Sequence, residues 1–434
     1  MPTAIVAGGG LAGMAAALAL AEAGFKVQLF ESRAVLGGRA SSFTPPEGGD
    51  LIDNCQHILL GGCANLLDFY TRLGARDLIR FHREFHFVER GGRVSRLRIG
   101  PWPAPWHLVG SFLRLHFLSA ADKLAALRGL RTLARESGRR GLDDITMGDW
   151  LAAQRQPPAA LGRFWGPVLA GAVNEELDRM AAAHAFQVFR LLFLGDRRGC
   201  ELGVPTVPLD RLYEKQLPGV EIRLRSPVER VAIRHGAAQG ALVNGKLEEA
   251  DHVVLAVPAD RAPALAPELE LDHTPFEFVP ITGIHLWFDR PVMDLPQAAL
   301  VESPIHWVFN KADGRYLLAV VSASRGLVEM SRDAVISLAI RELGDYFAAV
   351  RLAELERAHV VKELRATFSA RPGLEAHRPA AETHIRGLYL AGDWTRTGWP
   401  ATMEGAVRSG YLAAEAVTRA AGSPRRFLIP DSGP

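Results

Sequence analysis

The chain has 434 residues with 50 Lys and Arg against 48 Asp and Glu, so its formal net charge is only +2. Its composition is 48% hydrophobic and 23% charged, which excludes a disordered chain and provides for a large core. The near balance of charge argues against a general nucleic-acid-binding protein, because such proteins need an excess of Lys and Arg. The length predicts roughly two or three domains.

Cysteine usage and hydropathy point to a cytosolic protein. Cys55, Cys63 and Cys200 form neither a C-x-x-C pair nor a set with zinc-site spacing, so we expect reduced thiols and no metal. No basic segment precedes the first apolar stretch, and no run reaches about 18 uncharged apolar residues. We therefore predict neither a cleaved signal peptide nor a spanning helix.

The first forty residues predict a dinucleotide-binding unit. An apolar strand over residues 3–7 leads into a Gly-x-Gly-x-x-Gly segment, a helix follows to residue 23, and a strand over residues 26–30 ends in an acid. The spacing allows a tight turn, close approach of a pyrophosphate to the helix start, and hydrogen bonds from ribose hydroxyls to the acid. The predicted cofactor-binding residues of this unit are Gly8, Gly10, Leu11, Ala12, Gly13 and Glu31.

The acid at position 31 disfavours a 2′-phosphate, so NAD or FAD is expected rather than NADP. Gly38 and Arg39 follow closely and can contact the same pyrophosphate from its other side, which a simple NAD dehydrogenase does not need. This second motif, with its glycine and arginine, therefore favours FAD.

A second cofactor-facing segment lies near the C-terminus. An apolar strand over residues 388–391 ends in Gly392 and Asp393, and a helix opens near residue 402. Asp393 can accept hydrogen bonds from the ribityl or phosphate region, and the helix start can face the flavin pyrimidine oxygen, where negative charge develops on reduction. The candidate cofactor-binding residues at this helix start are Met403, Glu404 and Ala406.

The middle of the chain predicts a β-rich insertion. Residues 220–224 and 228–233 are interpreted as paired strands, and residues 251–258 as a strand that returns to the first domain. The backbone of Val228 is a candidate adenine contact.

Together these motifs resemble the FAD-dependent amine oxidase and phytoene desaturase superfamily. The segment Asp53-Asn-Cys-Gln-His57 and the segments 103–107, 365–368 and 391–410 are similar to its squalene-associated branch, the hydroxysqualene dehydroxylases. The resemblance covers essentially the whole chain. It implies an α/β fold, in which a Rossmann-like FAD-binding domain of the amine oxidase type is interleaved with an α+β substrate-binding domain.

The implied FAD-binding domain comprises residues 1–80, 205–274 and 376–425, and the substrate-binding domain comprises residues 81–204 and 275–375. The resemblance further implies that reduced FAD converts hydroxysqualene to squalene in squalene and hopanoid biosynthesis. The allylic alcohol loses water, and a hydride from flavin N5 quenches the cation. Squalene-synthase-like enzymes would act upstream, and the sequence does not specify the electron donor to FAD.

This reaction needs a general acid near the leaving oxygen. Asp53 and His57 are candidates for this acid, and His57 is our first choice, with Asp53 orienting either His57 or the flavin. Further candidates are Glu404, Lys362 and Asn174 with the neighbouring Glu175 and Glu176.

Cys55 stands where the branch usually has glycine. A positive φ at this position would therefore be strained. A thiol beside the flavin also leaves open a covalent cysteinyl link.

Residues 99–135 suggest contact with a membrane. Trp102, Trp106, Arg114 and His116 suit a bilayer interface, and the following helix carries several cations that suit anionic headgroups. The alternative is a Trp-rich core corner beside a solvated helix. With a lipid substrate implied, we expect peripheral contact on the cytoplasmic face of the inner membrane.

Residues 282–288 and 316–322 predict strands that form the floor of a hydrophobic pocket. A neighbouring helix supplies candidate tunnel residues, namely Phe186, Phe189, Leu191, Leu192 and Phe193. Three alternatives stay open: a carotenoid or phytoene-type desaturase with the opposite redox direction, a flavin amine oxidase, and a non-enzymatic flavoprotein or NAD-binding module. The tail over residues 424–434 is interpreted as either loose or draped over the surface and is assigned no role.

Overall fold

A computed structural model describes residues 1–46, 48–213 and 217–431. The strands are β1 (Thr3–Ala7), β2 (Lys26–Phe30), β3 (Ser42–Phe43), β4 (Ile52–Asp53), β5 (Leu59–Leu60), β6 (Ile79–His82), β7 (Glu84–Val88), β8 (Val94–Arg98), β9 (Leu202–Pro205), β10 (Val220–Arg223), β11 (Val228–Arg234), β12 (Ala237–Val243), β13 (Lys246–Glu249), β14 (His252–Leu255), β15 (Phe278–Phe288), β16 (Gln297–Leu300), β17 (Trp307–Ala312), β18 (Tyr316–Val321), β19 (Leu355–Phe368) and β20 (Leu388–Leu390). The helices are α1 (Leu11–Glu22), α2 (Ala64–Arg72), α3 (Val109–Phe112), α4 (Ala120–Arg135), α5 (Met147–Ala153), α6 (Pro158–Ala160), α7 (Gly166–Val173), α8 (Ala182–Phe189), α9 (Ala262–Leu265), α10 (Arg332–Tyr346) and α11 (Met403–Ala420).

A five-stranded parallel sheet in the order β10-β2-β1-β14-β20 forms the centre of the first half. Helix α1 is apolar on all faces and buried over its first ten residues, as expected for a helix enclosed by the sheet and α11. Gly410 of α11 permits this packing, because a Cβ there would lie 2.3 Å from the Ala12 carbonyl oxygen. The carboxyl ends of the parallel strands share one edge, where α/β sheets bind ligands.

The expected pairing of residues 220–224 with 228–233 is wrong. β10 joins β2 in the central sheet, whereas β11 pairs with β12 in a separate antiparallel sheet. The chain turns at Arg225, whose φ is 52°, and the N–H groups of Arg225 and Ser226 donate to the carbonyls of Arg33 and Glu31. This turn attaches the end of β10 to the end of β2 instead of folding it onto β11.

The second half contains a seven-stranded mixed sheet in the order β19-β15-β18-β17-β16-β7-β8. β15 and β18 match the strands predicted for this region. Helix α10 packs on one face of the sheet through an apolar cluster that includes Ile284, Leu317 and Leu343. The strands of the two large sheets fall within the two sets of predicted domain segments, and the domain boundaries themselves stay a prediction.

Helices α3 to α8 enclose a separate core, rich in aromatic side chains, beside this sheet. Phe186 and Phe189 belong to this core rather than to a tunnel. Their rings meet Trp150 and Trp165 edge-on, with centroids 5.0 Å and 4.6 Å apart. Of the other predicted tunnel residues, Leu191 lines the cavity described below, while the side chains of Leu192 and Phe193 lie outside the described part of the chain.

Candidate active site

A cavity of about 890 Å³ runs along the carboxyl edge of the parallel sheet and continues between the mixed sheet and the helices. Charged side chains and the backbone of the glycine motifs form one part of its wall, which we call the polar half. Apolar side chains line the rest, which we call the apolar half. The polar half includes Gly8, Gly10, Leu11, Ala12, Glu31, Gly38, Arg39, Val228, Gly392 and Asp393. The apolar half includes Phe85, Phe87, Leu97, Leu108, Val188 and Trp307.

The glycine-rich turn fits the pyrophosphate of the FAD that the sequence implies. If Gly10 carried a Cβ, no atom of a described residue other than its chain neighbours would lie within 4 Å of it. The position therefore leaves open space at the start of α1. A Cβ on Gly13 would lie 1.9 Å from the Gly8 carbonyl oxygen, so only glycine allows the helix to approach the turn this closely. No described side chain caps α1 and no acid occupies its first turn, which leaves its N–H groups available to phosphate oxygens.

Glu31 lies at the end of β2 and is 7% exposed. Its Oε2 accepts a hydrogen bond from the Gly9 N–H at 2.6 Å, and its Oε1 accepts one from the Arg33 N–H at 2.8 Å. These bonds fix the carboxylate on the cavity wall, while its remaining lone pairs stay available. The position therefore fits an acceptor for ribose hydroxyls.

Arg39 and Asp393 connect the two glycine motifs. The guanidinium donates to Asp393 Oδ1 at 2.7 Å and to the Ala366 carbonyl at 2.9 Å. The loop after Asp393 is held by Arg378, whose fully buried side chain donates to the carbonyls of Asp393 and Thr395. The sequence contains no signal for Arg378, because the first of these carbonyls lies 15 positions further along the chain, beyond β20.

Helix α11 presents its N-terminus to the cavity, with Thr402, Met403 and Ala406 on the wall. Thr402 caps this helix by accepting from the Gly405 N–H at 3.1 Å. Glu404 also lies on the cavity wall, but its carboxylate is not available for the role of an acid that was among the predictions. It accepts hydrogen bonds from the N–H groups of Asn65 and Leu66 and thereby caps α2. The candidate role of Glu404 as an acid is therefore corrected to a structural one, while its contact with the cofactor stays a prediction.

The structure also contradicts the catalytic role predicted for Asp53. It is 4% exposed, and its carboxylate binds Ser42, the Leu209 N–H and the Lys311 ammonium at 2.8, 2.9 and 3.0 Å. The wall formed by the described residues includes His57 but not Asp53. Among the described residues, Asp53 therefore acts on His57 through its charge alone and is not on the cavity wall, because its neighbours use its oxygen atoms.

His57 lines the cavity, and its Nδ1 lies 2.9 Å from the Cys55 carbonyl oxygen. A carbonyl only accepts, so Nδ1 carries the proton, and in the neutral ring Nε2 is a hydrogen-bond acceptor. Burial lowers the pKa of His57, and the bond to Cys55 only partly opposes this effect. The geometry thus favours His57 as a neutral acceptor over the general acid that we predicted.

The remaining candidate acids are engaged elsewhere. The Lys362 ammonium donates to the carbonyls of Val328 and Met330, and the carboxylate of Glu175 binds Arg325 through both oxygens. Glu176 also pairs with Arg325. Asn174 does line the cavity, but its amide joins α7 to the mixed sheet.

Cys55 lines the cavity and is not among the described non-glycine residues with positive φ. The cysteine is therefore accommodated without the strain considered above. Burial raises the pKa of its thiol to about 12, so the thiol is protonated at neutral pH.

Asn54 and Glu363 were missed by the sequence reasoning as cavity residues. The Asn54 amide donates to Glu363 Oε2 at 3.0 Å and to the Arg39 carbonyl at 3.2 Å. β19 reaches the cavity through a register shift against β15, in which Val279 pairs with Thr367 but Ile281 pairs with Glu363. This β-bulge explains why regular strand alternation could not locate Glu363.

Comparison with known proteins gives a consistent result. The family model described as flavin containing amine oxidoreductase matches residues 11–418. A hydroxysqualene dehydroxylase of Rhodopseudomonas palustris is 31% identical over 96% of this chain and 98% of its own. A chloroplastic/chromoplastic 15-cis-phytoene desaturase of an Oncidium hybrid is 28% identical over 96% of this chain and 77% of its own.

Solved structures agree on the fold. An oxidoreductase of Methanosarcina mazei superposes with a TM-score of 0.72 at 17% identity, covering 96% of this chain and 100% of that one. At this identity the likeness shows the fold alone, a Rossmann-like α/β domain joined to a mixed sheet.

Proposed function

Because the chain belongs to the flavin-containing amine oxidoreductase family and is an FAD-dependent oxidoreductase, we propose that it reduces hydroxysqualene to squalene. The observation that carries the proposal is the continuity of the cavity. Its wall passes from the start of α11 and His57 into an apolar half lined by Phe85, Phe87 and Leu108. A long isoprenoid with one hydroxyl matches this combination of one polar region and one apolar channel.

The chain's own residues have three tasks in this reaction. When bound, reduced FAD supplies the hydride. The apolar walls exclude water, which would otherwise trap an allylic cation. His57 Nε2 can accept a hydrogen bond from the substrate hydroxyl and so orient it. The N–H groups at the start of α11 can donate to an oxygen that gains negative charge at this wall.

An anaerobic single turnover tests the proposal. The enzyme-bound flavin is reduced, hydroxysqualene is added, and the flavin absorbance and the extracted lipid are followed together. We expect the flavin to be reoxidised as squalene appears. The similarity to phytoene desaturase supports one competing function, the reverse redox direction. A flavin that stays reduced with hydroxysqualene, and an oxidised enzyme that is reduced by phytoene, would establish that alternative instead.

We further propose that the substrate enters from the cytoplasmic face of a membrane. Trp102 and Trp106 are 67% and 65% exposed, and Leu113 and Leu124 are also exposed. Leu108 follows Trp106 in the same helical turn and lines the apolar end of the cavity. This surface therefore lies next to the part of the cavity that fits the hydrocarbon.

Cations surround the exposed indoles, as expected for anionic headgroups. The exposed side chains of α3, α4 and their flanks include Arg114, His116, Arg128, Arg131 and Arg135. In the part of the chain that the structure describes, no helix combines the length and the apolar character needed to cross a bilayer. The contact we propose is therefore peripheral.

Vesicle flotation tests this second proposal. We expect the wild type to float with phosphatidylglycerol vesicles at low salt and to be partly released at high salt, because the ionic part of the contact is screened. Trp102→Ser with Trp106→Ser should abolish flotation. Leu352→Ser is the matched control, because Leu352 is 77% exposed and lies outside this segment. Wild type that stays at the bottom at every salt concentration contradicts the proposal.

A further inference from the structure

The cavity wall contains four described carboxylates, Glu31, Glu363, Asp393 and Glu404. Three of them have assigned tasks. Glu31 is fixed by two backbone N–H groups, Asp393 is paired with Arg39, and Glu404 caps α2. The fourth, Glu363, has none of these constraints, so it is the carboxylate that is left for chemistry.

The contacts of Glu363 hold it in place without neutralising it. Its Oε2 accepts from the Asn54 amide at 3.0 Å, and its Oε1 accepts from the Arg365 N–H at 3.2 Å. Both partners are uncharged donors. Among the described residues, no Lys, Arg or His side chain forms an ion pair with Glu363. Arg39 interacts electrostatically with Glu363 but is paired with Asp393, so the carboxyl group of Glu363 stays available for proton transfer.

The position of Glu363 is built by two distant elements. Asn54 links it to the segment that contains Cys55 and His57, and the bulge in β19 turns it onto the wall beside Ile281. Ile281 in turn packs against the buried apolar cluster that contains Cys55, and Trp307 of the apolar half packs against the same cluster. Glu363 therefore lies where the polar and apolar halves meet, which is where the hydroxyl of an otherwise apolar substrate must sit.

His57 cannot take this role, because its Nδ1 proton is donated to Cys55 and its Nε2 is an acceptor. We propose that Glu363 is the general acid of the site and that His57 and Asn54 position the reacting groups around it. This inference rests on the proposed function, and it adds the proton donor that the reaction needs.

This step conserves both the proton and the electron pair. The Glu363 carboxyl donates its proton to the substrate oxygen, the C–O bond breaks with both electrons going to oxygen, and water leaves. The allylic carbon accepts the hydride that reduced FAD supplies, and the carboxylate regains a proton from solvent. One alcohol, one proton and one hydride thus become one hydrocarbon and one water molecule.

The test is the anaerobic single turnover with Glu363→Gln, which keeps the shape and the hydrogen-bonding capacity of the side chain but not its proton. We expect squalene formation to slow by about 100-fold or more, the usual contribution of a general acid. FAD affinity, measured by flavin fluorescence, should stay within a few fold of wild type. Glu356→Gln is the matched control, because Glu356 is exposed on the same strand.

A second variant separates chemistry from structure. In Glu363→Ala, added formate should restore part of the squalene formation, because a small acid can occupy the vacated space. Glu363→Gln turning over within threefold of wild type overturns the assignment. So does a loss of FAD binding in both variants without rescue by formate. If wild type itself forms no squalene, the proposed function fails first and this role fails with it.

Discussion

The indole Nε1 of Trp399 donates a hydrogen bond to the carboxylate of Asp431 at 3.1 Å. Trp399 lines the cavity, and Asp431 also accepts from Arg408 of α11 at 2.9 Å. The segment leading to Asp431 is bound on the way, because Ile429 exchanges two hydrogen bonds with Asn65 at the start of α2. Of the two alternatives for the tail, loose or draped, the structure favours the second: the tail is attached to the cavity wall as far as residue 431, and its last three residues lie outside the described part of the chain.

This contact predicts that Asp431→Ala weakens both the fold and the cofactor site. The indole of Trp399 and the guanidinium of Arg408 lose their shared acceptor, which should lower the free energy of unfolding by about 1–3 kcal/mol. FAD affinity should fall as well, because Trp399 is on the wall. Urea unfolding of the holoenzyme and a flavin fluorescence titration measure the two effects. Asp178→Ala, at an exposed aspartate, is the control. Unchanged values for Asp431→Ala would show that the contact is dispensable.

The Asp53–Lys311 pair provides a prediction about stability rather than catalysis. Asp53 is 4% exposed, and the side chain of Lys311 is 17% exposed. Lys311→Met leaves the Asp53 charge buried without a counter-charge, which typically lowers the free energy of unfolding by about 3–5 kcal/mol. Asp53→Asn combined with Lys311→Met should recover much of this loss.

Thermal unfolding of the two single variants and the double variant forms the required cycle. If the two single effects simply add, the residues are not coupled. An Asp53→Asn variant that binds FAD and folds normally but forms no squalene would show that Asp53 takes part in the reaction.

The sequence could predict the cofactor half of the site, because its signals are local. Gly8 to Gly13 and Glu31 lie within one βαβ unit, so their spacing alone determines where they meet. The structural role of the Glu404 carboxylate could not be predicted, because a helix start near a cofactor looks the same whether the acid faces the ligand or another helix. Its partner Asn65 is 339 positions away in the sequence. Glu363 was missed because a bulge changes which residues of a strand face the cavity, and alternation does not reveal a bulge.

Cys55 predicts a non-covalent cofactor. The thiolate is the nucleophile needed for a covalent link, and burial raises the pKa of Cys55 to about 12. We therefore expect acid precipitation of the holoenzyme to leave a colourless pellet and a yellow supernatant. Cys55→Ser should give the same partition. Yellow colour that stays in the wild-type pellet and moves to the supernatant in Cys55→Ser would establish a cysteinyl link.

His306 predicts part of the pH dependence of stability. Its Nδ1 accepts a hydrogen bond from the Ser322 N–H at 3.1 Å, so the ring is neutral in the folded protein. Burial lowers the pKa of His306 to about 4. An unfolded histidine titrates near pH 6.5, so the unfolded state binds the proton first as the pH falls. The stability that depends on the neutral ring is therefore complete above about pH 6.5 and is lost as the pH falls toward 4.

His306→Gln removes the titration but can keep the bond, because the amide oxygen can accept from the same N–H. Between pH 7.5 and 4.5 we expect wild type to lose up to about 2–3 kcal/mol more of its free energy of unfolding than this variant. Urea unfolding at a series of pH values measures the difference. His273→Gln, at an exposed histidine, should follow the wild-type curve. Because Ser322 lines the cavity, protonation of His306 would disturb the wall itself. Parallel curves for wild type and His306→Gln would mean that this ring does not contribute to the acid sensitivity.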